Sequence, residues 1–158
     1  MEGFTLWLAL VDAIPVLSFG VSMVIIAGKF QSSLFMIGAA LSVLAGCCKV
    51  AWKLVLGIAK KDIRWLNKPF VPMQAVGFLL MVVSFAIRFS RIDWNRVLVA
   101  VTGLPSILFF ALWVAGMGTM VWYRKTRFKN DDAKSNWTAQ IINALAQTCL
   151  LLGIAFAG

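Results

Sequence analysis

The sequence predicts an all-α integral membrane protein whose five transmembrane helices form one compact bundle. Hydrophobic residues make up 61% of the 158 residues, whereas soluble domains contain roughly 45–50%. The mean hydropathy is +0.89. The apolar residues lie in five long runs separated by short charged segments, which is typical of proteins that cross the bilayer several times. We therefore expect residues 1–158 to form a single transmembrane domain.

Each apolar run is long enough to cross the hydrocarbon layer as a helix, and none alternates with the period that a strand requires. An open sheet would also leave backbone groups unpaired in lipid. The predicted helices cover residues 4–28, 32–58, 71–90, 97–123 and 137–157. Pro105 lies inside the fourth run and is expected to kink that helix, because proline has no backbone N–H to donate.

Basic residues predict the orientation of the bundle. The second and fourth loops, which share a side with the N-terminus, carry nine of them: Lys60, Lys61, Arg64, Lys68, Arg124, Lys125, Arg127, Lys129 and Lys134. The positive-inside rule then places the N-terminus inside and the C-terminus outside. The net charge of +9 indicates contact with anionic headgroups on the inner face of the bilayer, and not with nucleic acid. We expect the membrane to be the cytoplasmic (inner) membrane of a bacterium.

The residue types argue against an enzyme. The chain has no histidine and no recognisable nucleophile, zinc or phosphate-loop motif. Its cysteines lie in apolar runs, where thiols are usually small, inert packing groups: Cys47, Cys48 and Cys149. We therefore expect no metal and no cofactor. A lipid-modifying enzyme is the third of three functional hypotheses.

Ionisable residues inside the apolar runs are the first candidates for a functional site, because a charge in the bilayer is costly. Asp12 and Lys49 lie at similar estimated depths, roughly 12 Å from the inner surface, on helices joined by a short loop. We therefore predict an Asp12–Lys49 ion pair, with Lys53 extending to the headgroups from one turn nearer the inside. In the alternative, both lysines extend to the headgroups and Asp12 is paired locally.

Carboxamide side chains recur along one face of the fifth predicted helix, at spacings of four, three and four residues: Asn136, Gln140, Asn143 and Gln147. An amide needs both donor and acceptor partners, so this face is not expected to contact lipid. The amides either join neighbouring helices by hydrogen bonds or line a polar cavity.

Together with Gln74 in the third helix, these residues predict a polar cavity that faces the cytoplasm. Its predicted lining is Asp12, Lys49, Lys53, Gln74, Gln140, Asn143 and Gln147. The leading hypothesis is solute or ion transport, or ligand binding, in this cavity. The alternative is a non-transporting subunit whose polar face binds another membrane protein or, as a homodimer, a second copy.

Small residues predict one close helix contact. Gly38, Ser42 and Gly46 recur every four residues along one face of the second helix and allow another backbone to approach. We expect this face to pack against the first helix, its neighbour along the chain. Homodimerisation through the same face is the alternative.

Overall fold

The computed structural model describes residues 6–128 and 132–157, which fold into helices joined by short connections. The helices are α1 (Leu6–Phe30), α2 (Ser33–Ala59), α3 (Arg64–Asn67), α4 (Phe70–Arg88), α5 (Trp94–Thr102), α6 (Ser106–Thr126) and α7 (Ala133–Phe156), with a 3-10 turn at Phe89–Arg91. No strand occurs within the described ranges. The predicted all-α class is therefore confirmed.

In the described part of the chain, five helices are long and apolar enough to cross a membrane. They are α1, α2, α4 with its flanking turns, α6 and α7, and they are called the spans below. Each corresponds to one predicted helix, with boundaries that differ by a few residues, most of all in the fourth. The predicted start of the first helix at residue 4, and Lys129 in the fourth loop, lie outside the described residues.

The predicted fourth helix, 97–123, is two helices in the structure, α5 and α6, and only α6 is a span. The chain turns at 103–105 between them because Pro105 lacks a backbone N–H and its ring would clash with a preceding helical turn. The short helix α5 begins at Asp93, whose carboxylate accepts the backbone N–H of Arg96 at 3.1 Å. The predicted kink is therefore a complete break.

The five spans form a curved row with α1 at its centre. On one side α1 packs against α2, which packs against α4, and on the other side α1 packs against α7, which packs against α6. The order across the row is therefore α4, α2, α1, α7, α6. Between described residues, the two end helices α4 and α6 make almost no direct backbone contact. One cavity touches all five spans, which shows that the row is curved.

The turn between α1 and α2 anchors one end of α4. Ser32 begins α2 by accepting the backbone N–H of Phe35 at 3.4 Å, and its hydroxyl lies 2.7 Å from the hydroxyl of Ser84 in α4. The Arg88 guanidinium, at the end of α4, donates to the carbonyl of Phe30 at 3.1 Å. These bonds satisfy groups that the helix ends would otherwise leave unpaired.

Small residues bring α2 close to two different helices. A side-chain carbon at Gly38 would lie 2.6 Å from the carbonyl oxygen of Gly77 in α4, and one at Gly77 would collide with the Ser42 hydroxyl. A side-chain carbon at Gly46 would lie 2.9 Å from Val16 in α1. The face predicted to pack on the first helix is therefore shared, with two of its three residues on α4. Residue spacing identifies a narrow helix face, but it does not encode which helix approaches it.

We expect Gly77→Ala to lower the free energy of unfolding by about 1–3 kcal/mol, because the added methyl group has no space between α2 and α4. Unfolding of the purified protein in mixed detergent micelles measures this loss. The control is Gly118→Ala in α6, where nothing lies within 4 Å of the added carbon. Its stability should be unchanged or slightly higher, because alanine is the better helix former. Equal stability of the two variants would contradict the close contact.

Candidate functional site

A cavity of about 620 Å³ lies between the five spans. Small-molecule sites in proteins usually measure about 300–1,000 Å³. Most of its wall is aromatic, aliphatic or methionine side chain. Its charged, amide and hydroxyl members are Asp12, Ser42, Lys49, Gln74, Arg124, Asn143 and Gln147.

Five of the seven residues predicted to line a cavity do line this one: Asp12, Lys49, Gln74, Asn143 and Gln147. The other two, Lys53 and Gln140, are buried and are not part of its lining. Residues that are far apart in sequence and on four different helices are thus brought to one place.

Asp12 forms a buried ion pair with Lys53, whereas the sequence-based prediction paired it with Lys49. Lys53 Nζ lies 2.8 Å from Asp12 Oδ2, and the two side chains are only 5% and 7% exposed. A charge-assisted bond of this length offsets part of the cost of burying both groups. The prediction that Lys53 extends to the headgroups is therefore wrong.

Lys49 and Lys53 are four residues apart on α2, so they share one face of that helix and differ in depth by about 6 Å. The predicted boundaries at 4 and 58 placed Lys49 level with Asp12. The structure instead brings Lys53 to Asp12, one turn nearer the end of α2 at Ala59. Depths estimated from predicted boundaries are thus not accurate enough to choose between two lysines one turn apart.

Lys49 lies one helical turn farther into the bundle. Its ammonium nitrogen is 4.3 Å from the centroid of the Phe70 ring, at the start of α4, which is a cation–π contact. Among the residues that the structure describes, no carboxylate is within ion-pairing distance of this nitrogen. Lys49 is therefore a cation held against an aromatic face of the cavity wall.

Arg124 supplies a second cation, which the sequence-based prediction assigned only to lipid headgroups. It lines the cavity from the last turn of α6. It is the last of four lining residues at spacings of four, three and four: Trp113, Met117, Met120 and Arg124. This is the helical period, and it equals the spacing of the amides in α7. This spacing in the sequence was the signal that could have predicted Arg124 as a lining residue.

Three buried polar atoms of the lining have no hydrogen-bond partner among the described residues: Ser42 Oγ, Trp113 Nε1 and Gln147 Oε1. They come from three helices, α2, α6 and α7, and Ser42 is only 2% exposed. The amide nitrogen of Gln147 contacts the sulfur of Met117 at 3.8 Å, so only its oxygen is unpaired. A buried polar group without a partner costs about 1–3 kcal/mol. Water or a bound solute usually supplies the partner at such a cluster.

The amide face of α7 is turned toward the protein. Gln140 is buried, and Asn143 and Gln147 line the cavity, whereas Leu145 on another face of the helix is 64% exposed. Asn136, in the first turn, donates to the carbonyl of Asp132 at 3.0 Å. The four amides therefore divide between ordering the start of the helix, packing and lining the cavity.

A double-mutant cycle tests the ion pair. Asp12→Asn and Lys53→Met should each lower the free energy of unfolding by about 3–5 kcal/mol, because each leaves a buried charge unpaired. The double variant should lose much less than the sum, with a coupling energy above about 1 kcal/mol in mixed-micelle unfolding.

The matched cycle combines Asp12→Asn with Lys49→Met, one turn away on the same helix face. Its coupling should be smaller, because Lys49 Nζ contacts the Phe70 ring and forms no ion pair with Asp12. A larger coupling for Lys49 than for Lys53 would show that the pairing is assigned to the wrong lysine.

The cavity thus combines a neutralised carboxylate, two cations and three unpartnered polar atoms within mostly apolar walls. No protein-family model matches the chain, and no curated protein and no solved structure matches it either.

Proposed function

We propose that this protein binds a solute in an intramembrane cavity that opens to the cytoplasm, and that it serves ligand binding or transport in the cytoplasmic membrane of a bacterium. The observation that carries the proposal is that three residues in the wall of one cavity each have a buried polar atom without a partner among the described residues: Ser42 Oγ, Trp113 Nε1 and Gln147 Oε1. A solute that hydrogen-bonds to all three offsets the cost of burying them.

The distribution of charge supports the cytoplasmic opening. Lys49, Phe70 and Arg124 lie at the end of the cavity that is nearest to the loops after α2 and α6. Together with the adjoining ends of α6 and α7, those loops carry nine of the 15 lysines and arginines of the chain. The positive-inside rule places such loops in the cytoplasm, so the cationic end of the cavity faces the same side.

The inward direction of the α7 amides favours a solute site over the alternative of a subunit that binds a partner through this face. A partner-binding stripe needs its polar groups on the outer surface of the bundle. Here Gln140 is buried, and Asn143 and Gln147 lie against the cavity. The outer surface of α7 instead presents apolar side chains such as Leu145, which suit lipid.

Cysteine labelling tests whether the cavity is open to water, and from which side. In a background with Cys47, Cys48 and Cys149 replaced by serine, Asn143→Cys should react with a membrane-impermeant thiosulfonate in inside-out vesicles. In right-side-out vesicles it should react slowly or not at all. Mass spectrometry of the purified protein measures the labelled fraction.

The control is Leu145→Cys, two residues away on the exposed face of the same helix. It should not react from either side, because a thiol in contact with lipid does not ionise to the reactive thiolate. If Asn143→Cys is as unreactive as Leu145→Cys in both vesicle types, the proposal of a water-accessible cavity is wrong.

A further inference from the structure

We propose that the ligand of the cavity is an anionic membrane lipid, whose phosphate binds Lys49 and Arg124 and whose acyl chain leaves between α4 and α6. This inference rests on the proposed function, because it names the ligand of the same cavity.

The charges of the lining favour an anion. Asp12, the carboxylate of the lining, is already neutralised by Lys53 at 2.8 Å. Lys49 and Arg124 then remain as two cations, and no carboxylate among the described residues forms an ion pair with either. Two like charges beside apolar walls repel each other more strongly than in water. A phosphate between them converts this repulsion into two charge-assisted hydrogen bonds, and the planar guanidinium suits a phosphate well.

Arg124 lies near the level of a lipid headgroup, and Lys49 lies deeper with its ammonium directed toward the same end. Arg124 is two residues before the end of α6 at Thr126 (126 − 124), whereas Lys49 is ten residues before the end of α2 at Ala59 (59 − 49). The ammonium of Lys49 lies over Phe70, the first residue of α4, at the end of the bundle that carries the basic loops. Anionic lipids are concentrated at such surfaces by juxtamembrane lysine and arginine.

The cavity opens sideways, between the two ends of the curved row. Phe78 of α4 and Val121 of α6 both line the cavity, and yet they are 46% and 64% exposed. The helices that carry them make almost no backbone contact among the described residues. The rim of this opening is thus apolar and faces the hydrocarbon of the bilayer. A lipid can pass its chain through it, whereas a small hydrophilic anion gains nothing from it.

The deeper wall suits the upper part of a lipid chain. Met117 and Met120 supply flexible, polarisable surface that adapts to a disordered chain. The site therefore offers cations to the head and apolar surface to the chain.

Calorimetric titration of the purified protein in a non-ionic detergent tests the inference with three probes. These are dioctanoyl phosphatidic acid, dioctanoyl phosphatidylcholine and inorganic phosphate. The phosphatidic acid should bind saturably, and the phosphatidylcholine more weakly by about tenfold or more, because its choline group competes for the phosphate charge. Inorganic phosphate should show no saturable binding in the same concentration range.

The cations are tested by single substitutions. Lys49→Gln and Arg124→Gln should each weaken the binding of phosphatidic acid by about tenfold or more, through loss of a charged hydrogen bond. The matched control is Lys125→Gln, the next residue of α6, which does not line the cavity and should change affinity by less than about twofold. Lys49→Arg keeps the charge and should keep the binding, which separates an electrostatic effect from misfolding.

The lateral opening is tested by Val121→Trp, which should weaken binding by narrowing the rim. Leu112→Trp, on a different face of α6 and 56% exposed, should not. Equal binding of phosphatidic acid and phosphatidylcholine, or equal loss in Arg124→Gln and Lys125→Gln, would overturn the inference. Tight binding of inorganic phosphate would overturn it in favour of a soluble anion.

Failure of this inference is distinguishable from failure of the proposed function. If Asn143→Cys is labelled from the cytoplasmic side but phosphatidic acid shows no preference, the cavity stands and the ligand is wrong. If Asn143→Cys is unreactive and no probe binds, both are wrong.

Discussion

The buried contact between Asp12 and Lys53 is the interaction on which the rest of the structure depends. Asp12, on α1, is the only carboxylate within the described spans. Lys53, on the neighbouring helix α2, forms its ion pair. Either charge alone would be very costly in the bilayer, so the pair sets the relative depth of the two helices. Since α1 is the centre of the row, the helices on both sides of it, α2 with α4 and α7 with α6, are positioned relative to α1. Because Asp12 pairs with Lys53, it forms no ion pair with Lys49.

The two outer helix pairs, α2 with α4 and α6 with α7, are held together by close packing of small residues more than by polar bonds. On one side Gly38 and Gly77 let α2 and α4 touch through their backbones, and on the other a side-chain carbon at Gly116 would lie only 2.9 Å from Ala146. Such contacts are the usual means of association where lipid removes the hydrophobic driving force between helices. They fix each neighbouring pair, but nothing comparable joins α4 to α6 among the described residues. The row therefore stays open at its ends, next to the cavity.

The cavity is polar at one end and apolar along its rim, and both properties follow from helix geometry. Side chains spaced by three or four residues share a helix face. One face of α6 therefore lines the cavity with four side chains: Trp113, Met117, Met120 and Arg124. The facing stripe of α7 contributes amides to that space. Ser42, Trp113 and Gln147 each have a buried polar atom without a hydrogen-bond partner among the described residues. These atoms, the two cations and the apolar rim are the features on which the proposed binding of an anionic amphiphile rests.

Composition and periodicity were sufficient to predict the five spans, the inward face of the α7 amides and most of the polar lining, because hydropathy and the 3.6-residue period are local properties of the chain. They predicted a kink at Pro105 where the helix is in fact broken, and they did not predict that Arg124 lines the cavity. The partner of Asp12 and the division of the Gly38–Gly46 face between α1 and α4 were decided by the tertiary structure alone. Both depend on how far helices slide and rotate against one another. A shift of one turn exchanges Lys49 for Lys53, and no local pattern records such a shift.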